Sequence, residues 1–342
     1  MRKLATIRTI DALDPIEGAD KIELATVGGW RVVAQKGLYK VGDLAVYFEV
    51  DSWMPNTLAP FLTKPGQYPK VFEGVEGERL KTIRLRGTLS QGLLMPLDEA
   101  VPLGEDQINW SEGDNVTEYL GIKKWEKAVP AQLAGLVRGN FPTLIPKTDA
   151  ERAQNLKREI AAANGMSVEV TEKLEGSSMT VYQLKGEFGV CSRNIDLKRD
   201  ENNSFWGTAI KEDIEAKMKT VDEFWDFAIQ GELVGPGVQG NIYNLSKLEF
   251  RVFDVYNIQA GEYLKPQARR KLIEDMGLKH VPVIHASLEL KHTVDELLTM
   301  ADGKSVMGDV TGPLREGLVF KQVDGGMTFK VVSNEYLLKS GG

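Results

Sequence analysis

Residues Thr171–Tyr182 read TEKLEGSSMTVY, a charged, glycine-bearing turn set between two β-prone runs. Lys173 stands two residues before Glu175; Gly176, Ser177 and Ser178 follow, and then a strand-like stretch. Taken alone, the twelve residues suit a hairpin turn with two exposed charges. They also suit a lysine nucleophile with a metal-binding acid beside it, so the rest of the chain has to decide.

The chain has 342 residues, 42% of them hydrophobic and 27% charged, enough for two or three domains with their own cores. No apolar run approaches the ~20 residues that span a bilayer, and MRKLATIRTI lacks the apolar core of a secretion signal. Cys191 is the only cysteine, so neither an internal disulfide nor a cysteine-based zinc site is expected, and a cytoplasmic setting is. The three histidines, His280, His285 and His292, fall in one late stretch. Any catalysis is therefore expected to rest on Lys, Arg, Asp and Glu. The net charge of −7 speaks against sequence-independent nucleic-acid binding unless charge is segregated. GERLKTIRLRG does segregate it, with Arg79, Lys81, Arg84 and Arg86 against Glu78, and GIKKWEK adds Lys123, Lys124 and Lys127 around Trp125. In an extended strand Arg84 and Arg86 share a face; a merely solvated strand face would give the same pattern.

The first part is strand-rich. KIELATV, WRVVAQK, LAVYFEV, RLKTIRLRG and GLLMPL are short β-prone runs punctuated by glycine, which predicts a small OB-type barrel over residues 1–126. A Pro- and Gly-bearing connector is expected over 127–140. Thr148 and Glu151 then read as a capping box that opens a helix running to Gly165. From Ser167 strands are expected at SVEVTEK, SMTVYQLK, FGVCSR, FAIQGELV, LEFRVFDVYNI, EGLVFKQ and MTFKVVS, with helices around 207–219, 266–276 and 293–300. The fold class is α+β: a β-rich barrel, then a second domain over 141–342 with antiparallel sheets and flanking helices.

The polar islands of that second part come in order: EKLEGSS, CSRN, GELVG, FRVFDVY, REGLVFK and TFKVVS. This series resembles the motif set of the covalent nucleotidyltransferases, the ATP-grasp-like superfamily of polynucleotide ligases and capping enzymes. The match is to its RNA-ligase branch. The resemblance spans Phe141 to Lys339, and FPTLIPKTDAERAQNL looks like the lead-in of RNA ligases. A β-rich module in front, with no domain after TFKVVS, is similar to the type 5 RNA ligases.

The resemblance implies an ATP-dependent RNA ligase that joins a 3′-hydroxyl to a 5′-phosphate. Lys173 matches the lysine that attacks the α-phosphorus of ATP to form lysyl-AMP, from which AMP passes to the 5′-phosphate. A free lysine, with a pKa of about 10.4, needs neighbouring positive charge and partial burial to become an amine. Lys321 and Lys330 match the cations around the phosphates. Glu175, where aspartate is frequent, and Glu316 match the acids that order magnesium or manganese. Arg193 matches a contact to ribose or the incoming phosphate, Glu232 the acid on the ribose hydroxyls, and Phe253 the aromatic that stacks on adenine. Arg152, with Lys147 beside it, corresponds to an arginine that reaches the triphosphate. Val332 stands where many relatives carry a further lysine. The implied partner is RNA with 3′-hydroxyl and 5′-phosphate ends in a nicked duplex on an RNA or DNA template, gripped in part by RLKTIRLRG. A monomer without membrane contact is expected.

Two other functions remain open at this level. One is a DNA ligase or GTP-using capping enzyme, against which the order of domains speaks. The other is a non-catalytic RNA-binding protein, since ATIRTIDALDPIEGADKIELATV is similar to the OB modules of tRNA-binding proteins.

Overall fold

Alternation along Leu44–Phe48 organises the N-terminal part, because both faces of this strand are covered. In the computed structural model, which describes residues 3–100, 109–126, 135–221, 225–307 and 312–340, Val46 and Phe48 join a core with Leu4, Ile7, Met54, Met95 and Val116. Ala45 and Tyr47 point the other way, into a second core with Ala25, Val27, Trp30 and Val32. The strand is the middle of a three-stranded sheet, between Ala5–Thr9 and Leu93–Pro96. Separate sheets of three, two and four strands surround it.

The expected barrel is therefore not what forms. A barrel closes one ladder around one interior, whereas the described strands make separate open sheets, and the central one divides two cores. At one seam a side chain replaces the ladder: the Val33 N–H donates to Ser90 Oγ at 3.0 Å. The run RLKTIRLRG also divides. Arg79 ends the strand Val75–Arg79, and Thr82–Leu85 forms a hairpin with Thr88–Gln91. Arg86 (φ 50°) and Gly87 (φ 81°) make its tight turn, with the two positive φ values that a two-residue hairpin loop requires.

The chain folds as two units. One holds Met1–Ala128, Gln154–Lys157 and Leu337–Gly342; the other holds Val129–Ala153 and Arg158–Tyr336. Residues 127–134 of the expected connector, with Lys127, lie outside the described residues.

The second unit carries two sheets. The larger runs Val137–Asn140, Ile195–Leu197, Glu187–Cys191, Ser177–Leu184, Phe227–Val234, Glu249–Asn257 and Glu262–Tyr263, with Lys279–His280 parallel to Glu249–Asn257. One of its faces packs Phe227, Ile229, Val252 and Val255 against Phe205, Trp206, Ile214, Met218 and Ile273 from helices Ser204–Lys211, Ile214–Val221 and Pro266–Asp275. The smaller sheet runs Glu151–Arg152, Thr328–Val332, Gly317–Gln322, Ser167–Lys173 and Val283–Glu289. All pairs in it are antiparallel except the first.

The expected helix at TDAERAQN is absent. Glu151–Arg152 is a strand beside Thr328–Val332, a 3₁₀ turn follows at Ala153–Asn155, and the α-helix is only Lys157–Ala162. Sheet pairing outweighs the local capping signal there. A capping box does form later, where Thr293 Oγ1 accepts from the Glu296 N–H and Glu296 accepts from the Thr293 N–H. The helix expected over 207–219 is two helices, broken at Asp213 (φ 53°).

Candidate active site

Lys173 is the last residue of its strand in the smaller sheet, and Ser177 is the first of its strand in the larger one. The three residues between them carry the chain from one sheet to the other. Leu174 anchors this crossing in a cluster with Val234, Tyr243 and Val281. Gly176 is dictated by space: a Cβ there would lie 2.4 Å from Leu233 O and 2.7 Å from Glu232 Cγ. The Glu175 N–H donates to Tyr243 Oη at 2.7 Å, which fixes the turn from the side.

Register gathers the basic residues. In the smaller sheet Lys173 faces Gly317, Glu169 faces Lys321, Val319 faces Lys330, and Lys330 faces Arg152. Paired residues share a face and every second residue returns to it, so Lys173, Lys321, Lys330 and Arg152 all belong to one face. The neighbouring acid Glu172 goes to the opposite face, where it accepts from Ser305 Oγ and, at 2.9 Å, from the Val306 N–H.

Lys173 Nζ lies 2.5 Å from Glu316 Oε1, the lysine side chain being 27% exposed. The partial burial matches expectation, but the cation's immediate partner is an acid. Glu232 pairs with Ser178 across the larger sheet. Burial pushes its carboxyl up to about 8, against the pull of Lys173; Glu316 and Glu175 raise it further and Arg193 opposes them. These five groups therefore share one electrostatic site. Arg193 is gripped by Asp149 at 2.9 and 3.0 Å, and Lys147 Nζ donates to Asn194 Oδ1 at 2.8 Å. Both border a small polar pocket with Phe141, Thr148, Ser178 and Thr180.

Phe253 owes its place to a bulge. Across the larger sheet Gln230 faces Asp254 but Gly231 faces Val252, so Phe253 is the extra residue, and such a residue is turned out of the regular alternation. Its carbonyl accepts from Lys321 Nζ at 2.8 Å, and the same ammonium sits 2.6 Å from Asp254 Oδ2. Lys321 is thus held at Asp254. Burial lowers its pKa, while Asp254 raises it.

Among the described residues no group of three or more His, Cys, Asp or Glu forms a metal cluster. The donors still fit a hard divalent cation, which is commonly held by one or two carboxylates with water and substrate phosphates. Burial first, and then Glu316 and Glu175, disfavour the Glu232 carboxylate; a divalent cation beside these acids would offset their charge.

The sequence reading missed Tyr243, Asp149 and Asp254. Asp254 had a signal, a carboxylate inside the apolar run FRVFDVY. Tyr243 had none, since only folding brings its loop beside Glu175. In the first unit Arg79 is occupied structurally, 2.6 Å from Asp51 and 4.0 Å over the Trp125 ring. Arg84 is exposed and donates to Gly87 O at 2.8 Å. Arg86 occupies the hairpin turn, outside the strand in which the two arginines were expected to share a face.

Glu232→Gln should stabilise the metal-free protein. An acid whose native value is raised from 4.5 to about 8 costs stability once it ionises in the unfolded chain. The thermal midpoint gained by the substitution should therefore grow between pH 4.5 and 8 and level off above. Melts in chelator across that range check it; a gain independent of pH would contradict it.

A family model described as RNA ligase matches residues 166–332, and one described as an OB-fold domain matches residues 4–97. No curated protein matches. Solved structures of Naegleria gruberi RNA ligase do. The form with PPi is 43% identical, covers 98% of each chain and superposes with a TM-score of 0.88. A glutamate-to-alanine variant with AMP and Mn and a lysine-to-alanine variant with ATP and Mn are likewise 43% identical over 98% of both chains, each with a TM-score of 0.89.

Proposed function

This chain belongs to the RNA ligase family, on the type 5 branch of the covalent nucleotidyltransferases, and from that premise we propose that Lys173 is the nucleophile of an ATP-dependent RNA ligase. The observation that carries the assignment is the Lys173–Glu316 pair at 2.5 Å, at the crossing between two sheets, with Glu232, Glu175 and Arg193 in the same field.

The lysine amine attacks the α-phosphorus of ATP. The N–P bond forms, the bond to the pyrophosphate oxygen breaks, and pyrophosphate leaves. Glu316 directs the amine and is within proton-transfer reach of it. Lys330, Arg152 and Lys321, on the same sheet face, offset charge on the phosphates. Glu232 receives the ribose hydroxyls, and Phe253 packs against the base. Glu175 and Glu316 would hold the divalent ion, manganese or magnesium, which when bound neutralises phosphate charge. Arg193, with Lys147 beside its loop, exchanges Asp149 for a phosphate or ribose oxygen; a guanidinium fork suits both. AMP then passes to the RNA 5′-phosphate, and the 3′-hydroxyl displaces it.

No helix among the described residues is long and apolar enough to cross a membrane. The enzyme acts on RNA. The finer reading is a cytoplasmic monomer working on nicked duplexes, with residues 1–126 gripping A-form geometry through shape and 2′-hydroxyls. Sealing of matched nicks ending in a 3′-ribo or 3′-deoxy nucleotide tests it: the ribo end should react faster, and equal rates would remove the RNA preference. Arg84 and Arg86 contribute to the grip with Lys81, while Arg79 supports the module from within. Replacing Arg84 and Arg86 together by alanine should weaken RNA binding and flatten its salt dependence by roughly one to two units of log–log slope. Lysyl-AMP formation should be unchanged, and an unaltered slope would exclude the two arginines from the interface.

A further inference from the structure

On the sheet face that carries Lys173 and Lys321, a chain of buried charges leads from Glu169 to Asp254 through Arg269, and neither Glu169 nor Arg269 takes part in the steps above. Arg269, on the helix Pro266–Asp275, is 0% exposed. Its Nη2 is paired with Glu169, also fully buried, which Arg270 holds from the other side. Its Nε donates to His280 Nε2 at 3.1 Å. The His280 ring holds Val281 O through Nδ1 at 2.6 Å and is kept neutral by burial and by Arg269, which take its pKa down to about 4. The remaining nitrogen, Nη1, is buried, has no hydrogen-bond partner among the described residues and lies 3.6 Å from Asp254 Oδ1. The other oxygen of Asp254 holds Lys321 Nζ at 2.6 Å.

A buried guanidinium is costly unless its donors are used, so two anchored nitrogens beside an open third call for an explanation. Asp254 sits between two cations, Lys321 at 2.6 Å and Arg269 at 3.6 Å, and of these two it meets Lys321 alone at hydrogen-bond distance. When Lys321 turns toward a phosphate, Asp254 would be left with an uncompensated charge. A short movement toward Arg269 Nη1 supplies the compensation.

We propose that Arg269 is a positioning residue for adenylylation, setting Asp254 so that the Lys321 ammonium is aimed at the phosphates and can be released to them. Glu169 and His280 fix the guanidinium, and the bulge carbonyl of Phe253 limits where Lys321 can sit. This rests on the reading that Lys321 serves the phosphates.

The experiment is a double-mutant cycle on single-turnover lysyl-AMP formation with ATP and manganese. Arg269→Lys keeps the charge but loses the forked geometry. It should slow the step at saturating ATP by about tenfold to a hundredfold, the scale of a small misplacement of a reacting group, with the ATP requirement changed far less. In a Lys321→Ala background the same substitution should have almost no further effect, because it acts through Lys321. Full additivity, or a folded Arg269→Lys protein with the wild-type rate, would overturn the proposal. If Arg269→Lys does not fold, Asp254→Asn, which leaves the Glu169–Arg269 pair intact, takes its place in the cycle with the same two outcomes. A wild-type rate for Lys321→Ala alone would instead remove the underlying role of Lys321, so the two failures are distinguishable.

Discussion

Lys173→Ala protein forms no covalent adenylate with ATP and seals 5′-phosphorylated RNA at least about a thousandfold more slowly than wild type. Loss of a nucleophile removes an entire covalent route rather than one contact, and losses of this order or larger follow such removals. The fold should survive, since the Lys173 side chain is partly exposed and only its ion pair with Glu316 is given up. The informative control is an RNA that already carries the 5′-adenylyl group. Its sealing requires the 3′-hydroxyl to displace AMP and does not require the lysine as nucleophile. Lys173→Ala should retain most of that activity, whereas loss of both reactions to the same extent would mean that the substitution damages the site at large.

The largest stability effect is expected at Glu169. Its carboxylate is fully buried between Arg269 and Arg270. Burial alone would raise its pKa, yet the two guanidinium groups hold it below the usual value. Glu169→Ala leaves Arg269 charged in the interior without its direct partner, with Asp254 3.6 Å away and already holding Lys321, a change that costs about 3–5 kcal/mol. For a unit of this size that lowers the thermal midpoint by roughly 10 °C. The sign with pH follows from the depressed value. The Glu169 contribution is complete above its unfolded value of 4.5 and is lost as pH falls through the folded one, so wild type and variant should converge in acid. Melting curves from neutral to acid pH check this; a gap that stays constant would show that the ion pair is not its source.

Much of the second unit was legible because its signals are local. FAIQGELV and SVEVTEK form the strands Phe227–Val234 and Ser167–Lys173 with the expected ends, since a dense β-branched and apolar run leaves few alternatives. The ordered motifs likewise placed Lys173, Glu175, Arg193, Glu232 and Glu316 in one electrostatic neighbourhood. What escaped was set by long-range pairing. Thr148 and Glu151 carry a helix-start pattern, but Glu151–Arg152 gains more as an edge strand beside Phe329–Lys330. Strand count in the first unit was readable, yet closure was not, because whether Leu44–Phe48 faces one core or two depends on what packs on its second face. Arg269 had no visible signal at all. In PQARRKLIED it reads as one more surface charge, and only the fold buries it beside Glu169 and Asp254.

The most direct measurement is intact and peptide-level mass spectrometry of the wild-type protein after incubation with ATP and manganese. One adenylate bound through a phosphoramidate to the side chain at position 173 is the predicted result. A protein that gains no nucleotide, or gains it on a different residue, would contradict the account.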